Sequence, residues 1–123
     1  MFENTKVLVS FSVDDVTKAQ KFYSDTLGLR VTEEAGVLLL HLAGGNDILV
    51  YPKPDHIPAS YTILNFVVAD IDEAVDGLVA RDVRFLRYDG YGADDKGIVR
   101  GEAREMAWFS DPAGNILAVG QFK

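Results

Sequence analysis

The chain has no cysteine, only one tryptophan and two histidines, and four prolines in 123 residues. Without cysteine there can be no disulfide, no thiolate metal site and no cysteine nucleophile. No apolar run approaches the ~20 residues that a membrane-spanning helix needs. Residues Met1 to Lys6 lack the basic-then-apolar pattern of a secretion signal, so a cytoplasmic location and no membrane partner are expected. Positive charge is scarce too: 12 Lys and Arg stand against 19 Asp and Glu, a net charge of −7. That field repels phosphate backbones, and nucleic acid is not an expected partner. Nor is there a Ser-His-Asp order, a phosphate-binding glycine motif or a nucleotide fingerprint. What is present is 48% hydrophobic residues in a chain of one-domain length, with enough apolar material for a core.

The most informative stretch runs from Glu105 to Gln121. Met106 to Phe109 suits a pleated, half-buried strand. Asp111-Pro112-Ala113-Gly114-Asn115 is turn chemistry: Pro112 pre-sets φ, Gly114 accepts a positive φ, and the Asp111 and Asn115 side chains bond nearby backbone. Ile116 to Val119 returns as a second strand.

In chain order, Val7 to Val13 alternates as a strand. Asp14 or Asp15 caps a helix from Val16 to Leu27, with Gly28 beyond its end. Leu29 to Glu33, Val37 to Leu42 and Asp47 to Tyr51 read as three strands. Pro52, Pro54 and Pro58 mark residues 52–60 as a linker. The pattern then repeats: strand Tyr61 to Val68, cap Asp70, helix Ile71 to Ala80, strand Val83 to Tyr88, a glycine-bearing loop over 88–104, and the hairpin. Phe11 and Phe66, Val13 and Val68, Asp15 and Asp70, and Ala19 and Ala74 are each 55 positions apart. Gly45-Asn46 mirrors Gly114-Asn115. The fold class is therefore α+β: two βαβββ modules, one over about 5–51 and the other over about 61–121, within one domain spanning 1–123.

Three segments carry a family resemblance: Val13-Asp14-Asp15 through Phe22-Tyr23 to Leu27-Gly28-Leu29, then Phe66 to Ala74, then Asp111 to Asn115. Together they resemble the vicinal oxygen chelate superfamily of glyoxalases, bleomycin-resistance proteins and extradiol dioxygenases. That resemblance implies a curved mixed sheet around a cavity between the two modules, and a homodimer. In metal-dependent members, His, Glu or Gln on the first strand and near the last strand of each module ligates a divalent ion. Here those positions fall on Leu8, Ile63, Ala118 and the stretch Leu49 to Tyr51. A slip of one residue gives Val7, Val9, Thr62, Leu64, Leu117 or Val119, which are no better as donors. No metal and no other cofactor is expected. The resemblance then implies the branch that holds a small molecule without coordinating it, as bleomycin-resistance proteins do. The alternative is a lyase, isomerase or dioxygenase with a displaced metal, built from His41, His56 and Glu105, or with metal-free acid–base chemistry.

Ser10, Ser12 and Asn65 share the strand faces of the lost ligand positions and offer hydrogen bonds to a ligand, or only to one another and water. Tyr51, Tyr88, Tyr91 and Trp108 are candidates for an aromatic lining, with the Trp108 N–H as a handle. Trp108 and Phe109 must point to opposite faces. Arg100, in the charged loop, is a candidate clamp for a ligand anion. His41 reads as the polar tip of a partly buried strand or as a catalytic group, and His56 as a solvated linker residue.

Overall fold

Alternating apolar side chains give the first strand, β1 (Val9–Val13), one face that closes on a helix. Val13 is fully buried and the Phe11 ring lies 5.9 Å from that of Tyr23. The computed structural model describes residues 1–123, which divide into two compact units, Met1–Ile57 and Pro58–Lys123.

In the first unit, the Asp15 side chain accepts from the Lys18 N–H and starts α1 (Val16–Lys21). The expected helix to Leu27 ends its α-helical part at Lys21. Residues Phe22–Thr26 continue as a π turn, in which the Leu27 N–H reaches back five residues to the Phe22 carbonyl at 3.0 Å. Two adjacent aromatics sit at this widening, the Phe22 and Tyr23 rings meeting edge-on at 5.2 Å with Tyr23 fully buried. Gly28 then takes φ +70° and ends the element. Strands β2 (Arg30–Glu34), β3 (Val37–His41) and β4 (Asp47–Pro52) complete a mixed sheet of order β1-β4-β3-β2, with β1 parallel to β4.

The second unit repeats the plan. Strand β5 (Thr62–Val67) leads to Asp70, whose side chain accepts from the Glu73 N–H at the start of α2 (Ile71–Val79). Strands β6 (Phe85–Leu86), β7 (Arg104–Ser110) and β8 (Ile116–Phe122) follow, and the order is β5-β8-β7-β6. The expected strand over 83–88 is reduced to its Phe85–Leu86 pair. Beyond it the Arg87 guanidinium donates to the carbonyls of Asp94 and Asp95, at 2.6 and 2.7 Å. The 88–104 loop is pinned rather than free: Ile98 is fully buried, and Val99 and Met106 exchange backbone hydrogen bonds.

The hairpin between β7 and β8 turns on a buried carboxylate. Asp111 Oδ1 accepts from the Ala113 and Asn115 N–H groups, and Oδ2 from the Asn115 amide, while Gly114 supplies φ +86°. Phe109, Leu117 and Val119 lie on the helix-covered face of this sheet together with the buried Ile71 and Val75 of α2.

Candidate functional site

The side chains on the opposite, uncovered face of the second sheet follow from its register. Trp108 pairs with Ala118, and Ala118 with Asn65. A register shift between Thr62 and Leu64 places the extra residue at Ile63, so Thr62 and Asn65 share a face. The Trp108 Nε1–H donates to Thr62 Oγ1 at 3.1 Å. The indole handle expected to serve a ligand is thus already used inside the protein, and it fixes the ring.

Tyr88 and Tyr91 come from the loop and pack on that fixed ring. The Tyr88–Trp108, Tyr91–Trp108 and Tyr88–Tyr91 centroids are 5.7, 5.9 and 5.9 Å apart. Tilted and edge-on contacts of this kind are the favoured arrangement for aromatic rings. Tyr88 and Tyr91 remain 38% and 58% exposed, so the cluster is a surface and not a core. One side of it is a hollow of about 400 Å³, completed by Ser60, Tyr61, Thr62 and Ile116. The other side is a second hollow of about 550 Å³, reaching Val99, Met106 and Arg104. A Cβ on Gly120 would lie 2.6 Å from the Met106 sulfur, so that flexible side chain would have to shift. Asn65 is exposed on the same face but lines neither hollow.

The uncovered face of the first sheet is mixed, with Leu39, Leu49 and Tyr51 beside polar side chains. Ser10 pairs with Leu49, and Ser12 with Tyr51. Ser12 Oγ lies 2.7 Å from His56 Nδ1, so His56 is a half-buried partner of β1 rather than the solvated linker residue expected. His41 does sit as the polar tip of a partly buried strand. Its Nδ1 is 3.1 Å from Asp47 Oδ1, and its Nε2 is 2.8 Å from Thr32 Oγ1. Neither Thr32 nor Asp47 stands out in the sequence, and only the strand register brings them to His41.

Arg100 lies elsewhere. Its guanidinium is bonded to Asp72 of α2 at 2.9 and 3.2 Å, to Glu105 at 2.9 Å and to Asp94 at 3.1 Å. It therefore belongs to an ion-pair network at the helix-covered side and not to a ligand clamp. The Arg100 hydrogen bonds hold the Asp72 carboxyl down at about 2, against 3.8 for a free aspartate, and Asp72 in turn raises the Arg100 pKa. Lys96, beside Asp76 and Asp72, is raised by the same logic.

The residues at the superfamily's metal positions do not fit a metal. Leu8 is exposed, Ile63 occupies the bulge, and Ala118 is fully buried beside Trp108. No three His, Asp or Glu side chains are grouped to hold an ion, and Glu105, proposed for a displaced set, is bound to Arg100. No step is routed through a metal here.

The model of the Glyoxalase/Bleomycin resistance protein/Dioxygenase superfamily matches residues 7–119. No curated protein matches the sequence. Among solved structures, TnmS3, an antibiotic binding protein from Streptomyces sp. CB03234, is similar at 23% identity and TM-score 0.70, with 98% of each chain covered. A glyoxalase/dioxygenase from Nostoc punctiforme is similar at 16% identity and TM-score 0.71, covering 99% of this chain and 94% of that one. A glyoxalase/bleomycin resistance protein/dioxygenase from Alicyclobacillus acidocaldarius gives 16% and 0.70, with 97% and 92% covered. At these identities the solved structures establish the fold alone. With the family model spanning nearly the whole sequence, the chain belongs to the glyoxalase/bleomycin resistance protein/dioxygenase superfamily.

Proposed function

We infer that this protein binds a flat aromatic small molecule, without metal, against the Tyr88–Tyr91–Trp108 surface of its second unit. The observation that carries this reading is the exposed three-ring cluster, locked by the Trp108–Thr62 hydrogen bond and flanked by two hollows. Rigid aromatic rings give a large contact area at a small entropic cost, and a ligand ring stacks on them without displacing a strongly hydrated group. No charged side chain lines the hollow beside Thr62, so recognition there rests on stacking and on the hydroxyls of Ser60, Tyr61, Tyr88 and Tyr91. The net charge of −7 favours neutral or cationic ligands over anionic ones. The solved antibiotic-binding relative supports a small-molecule role for this fold.

In this reading the protein is a cytoplasmic homodimer. Support for the dimer is the exposed apolar run that leads into the edge strand β1, with Val7 79%, Leu8 53% and Val9 53% exposed. Unpaired apolar edges of this kind are normally covered. The binding claim is tested by calorimetric titration with two- to four-ring aromatics, neutral and cationic, in the presence of EDTA. Saturable binding of about one molecule per chain is expected. Binding that appears only when a divalent metal is added would overturn the metal-free reading.

A further inference from the structure

The first unit carries a second, chemically different constellation on its uncovered face. Asp47, His41 and Thr32 form one hydrogen-bonded chain across three strands. In the neutral imidazole, the carboxylate at Nδ1 selects the tautomer with the proton on that nitrogen, and Nε2 then accepts from the Thr32 hydroxyl. This is the arrangement in which a carboxylate orients an imidazole and the imidazole activates a hydroxyl. Thr32 is exposed on the sheet's edge strand, so its hydroxyl is open to a reagent. Arg30 stands directly opposite His41 on the same face, exposed and engaged by no carboxylate. Thr62, on the other sheet, accepts from the indole, while Ser12 also meets an imidazole, His56 Nδ1 at 2.7 Å.

We propose that Thr32, His41 and Asp47 form a nucleophilic acyl-transfer site for small activated carboxylic esters. The Thr32 Oγ–H proton moves to His41 Nε2 as Oγ bonds to the acyl carbon. The carbonyl electron pair becomes an oxyanion on the Arg30 side of the site. Collapse of that intermediate breaks the bond to the leaving-group oxygen, which takes the proton from His41 Nε2 and departs as an alcohol. The acyl group stays on Thr32 as an ester. A water molecule, deprotonated by the same nitrogen, then hydrolyses it, releasing the carboxylic acid and restoring Thr32. Asp47 holds the imidazole in the required tautomer throughout. Thr32 lies exposed on the edge strand, so only esters with a good leaving group suffice.

The test uses the full protein and p-nitrophenyl acetate, following p-nitrophenolate release and the position of any acetyl group by peptide mass spectrometry. The expected result is acetylation of Thr32, abolished in Thr32→Val and retained in Thr32→Ser. His41→Gln is expected to slow release by about 100-fold or more, the range typical of a lost general base. Asp47→Asn is expected to slow it while leaving Thr32 the acetylated residue. The far-ultraviolet circular dichroism of each variant checks that the sheet is intact. Release that persists undiminished in Thr32→Val, or acetyl groups found on lysines or on His41 instead of Thr32, would overturn the proposal. The result is independent of aromatic binding, since none of these residues belongs to the Trp108 cluster or lines its hollows.

Discussion

The two units share a frame and differ in what the frame presents. Both sheets have the same strand order, and their helices start on equivalent aspartates, Asp15 and Asp70, with nearly identical backbone angles (φ −137° and −139°). In the closing hairpins, Leu40 corresponds to Phe109, Leu39 to Trp108, His41 to Ser110 and Asp47 to Ile116, each 69 positions apart. The register likewise equates Thr32 with Leu86, opposite Leu39 and Trp108. The polar chain of one unit thus occupies the places of Leu86, Ser110 and Ile116 in the other, while Trp108 takes the place of Leu39. Side chains on the helix-covered face are held to apolar types by burial, whereas the uncovered face is under no such constraint and can be written differently in each copy. Function can diverge there without disturbing the fold.

The comparison can be broken most decisively in the cores. Leu40 and Phe109 are both fully buried, and truncation to alanine should cost about 2–5 and 3–5 kcal/mol respectively by denaturant unfolding. A negligible cost at either would mean the equivalence of the hairpins is wrong. The turns should separate the units. Asp111→Ala leaves buried N–H groups unpaired and should cost about 1–3 kcal/mol, while Asn46→Ala, in the exposed turn of the first unit, should stay within about 0.5 kcal/mol. The caps should behave alike: Asp15→Ala and Asp70→Ala should each cost about 1 kcal/mol.

The smallest effect is the pH response. Asp72 has a folded pKa of about 2, below its free value of 3.8, because Arg100 favours the charged form. Its contribution is present above the unfolded value and is lost as pH falls through about 4 to 2. Acid titration of stability should therefore show a decline in that window that Asp72→Asn diminishes. Both groups are solvated, so the change should be slight and should shrink further in high salt.

The fold was legible because it rests on short-range signals. The 55-residue spacing of Phe11/Phe66, Val13/Val68 and Asp15/Asp70, and the Asp-Pro-x-Gly-Asn turn, report local backbone preferences and burial. The site was legible only in part. Trp108 and Tyr88 belong to the exposed aromatic cluster, and Tyr91, also visible as an aromatic, completes it. The Trp108 partner could not be read, because the bulge at Ile63 decides which of Thr62 and Ile63 shares its face. Arg100 misled because a charged residue in a glycine-rich loop looks available until Asp72, 28 residues earlier, is seen to bind it. Thr32 and Asp47 were silent, since each meets His41 only through strand pairing.

The central claim is that one face of the second unit holds an aromatic ligand through Trp108. This is the chain's single tryptophan, so its fluorescence reports on that face alone. The most direct measurement is a titration of wild-type protein and Trp108→Ala with 9-aminoacridine and neutral polycyclic aromatics in EDTA, reading tryptophan emission and the heat of binding together. The account predicts saturable quenching of the wild type and at least a tenfold loss of affinity, about 1.4 kcal/mol, in the variant. Heat of binding that is the same with and without Trp108, or no saturable quenching by any of the compounds, would contradict it.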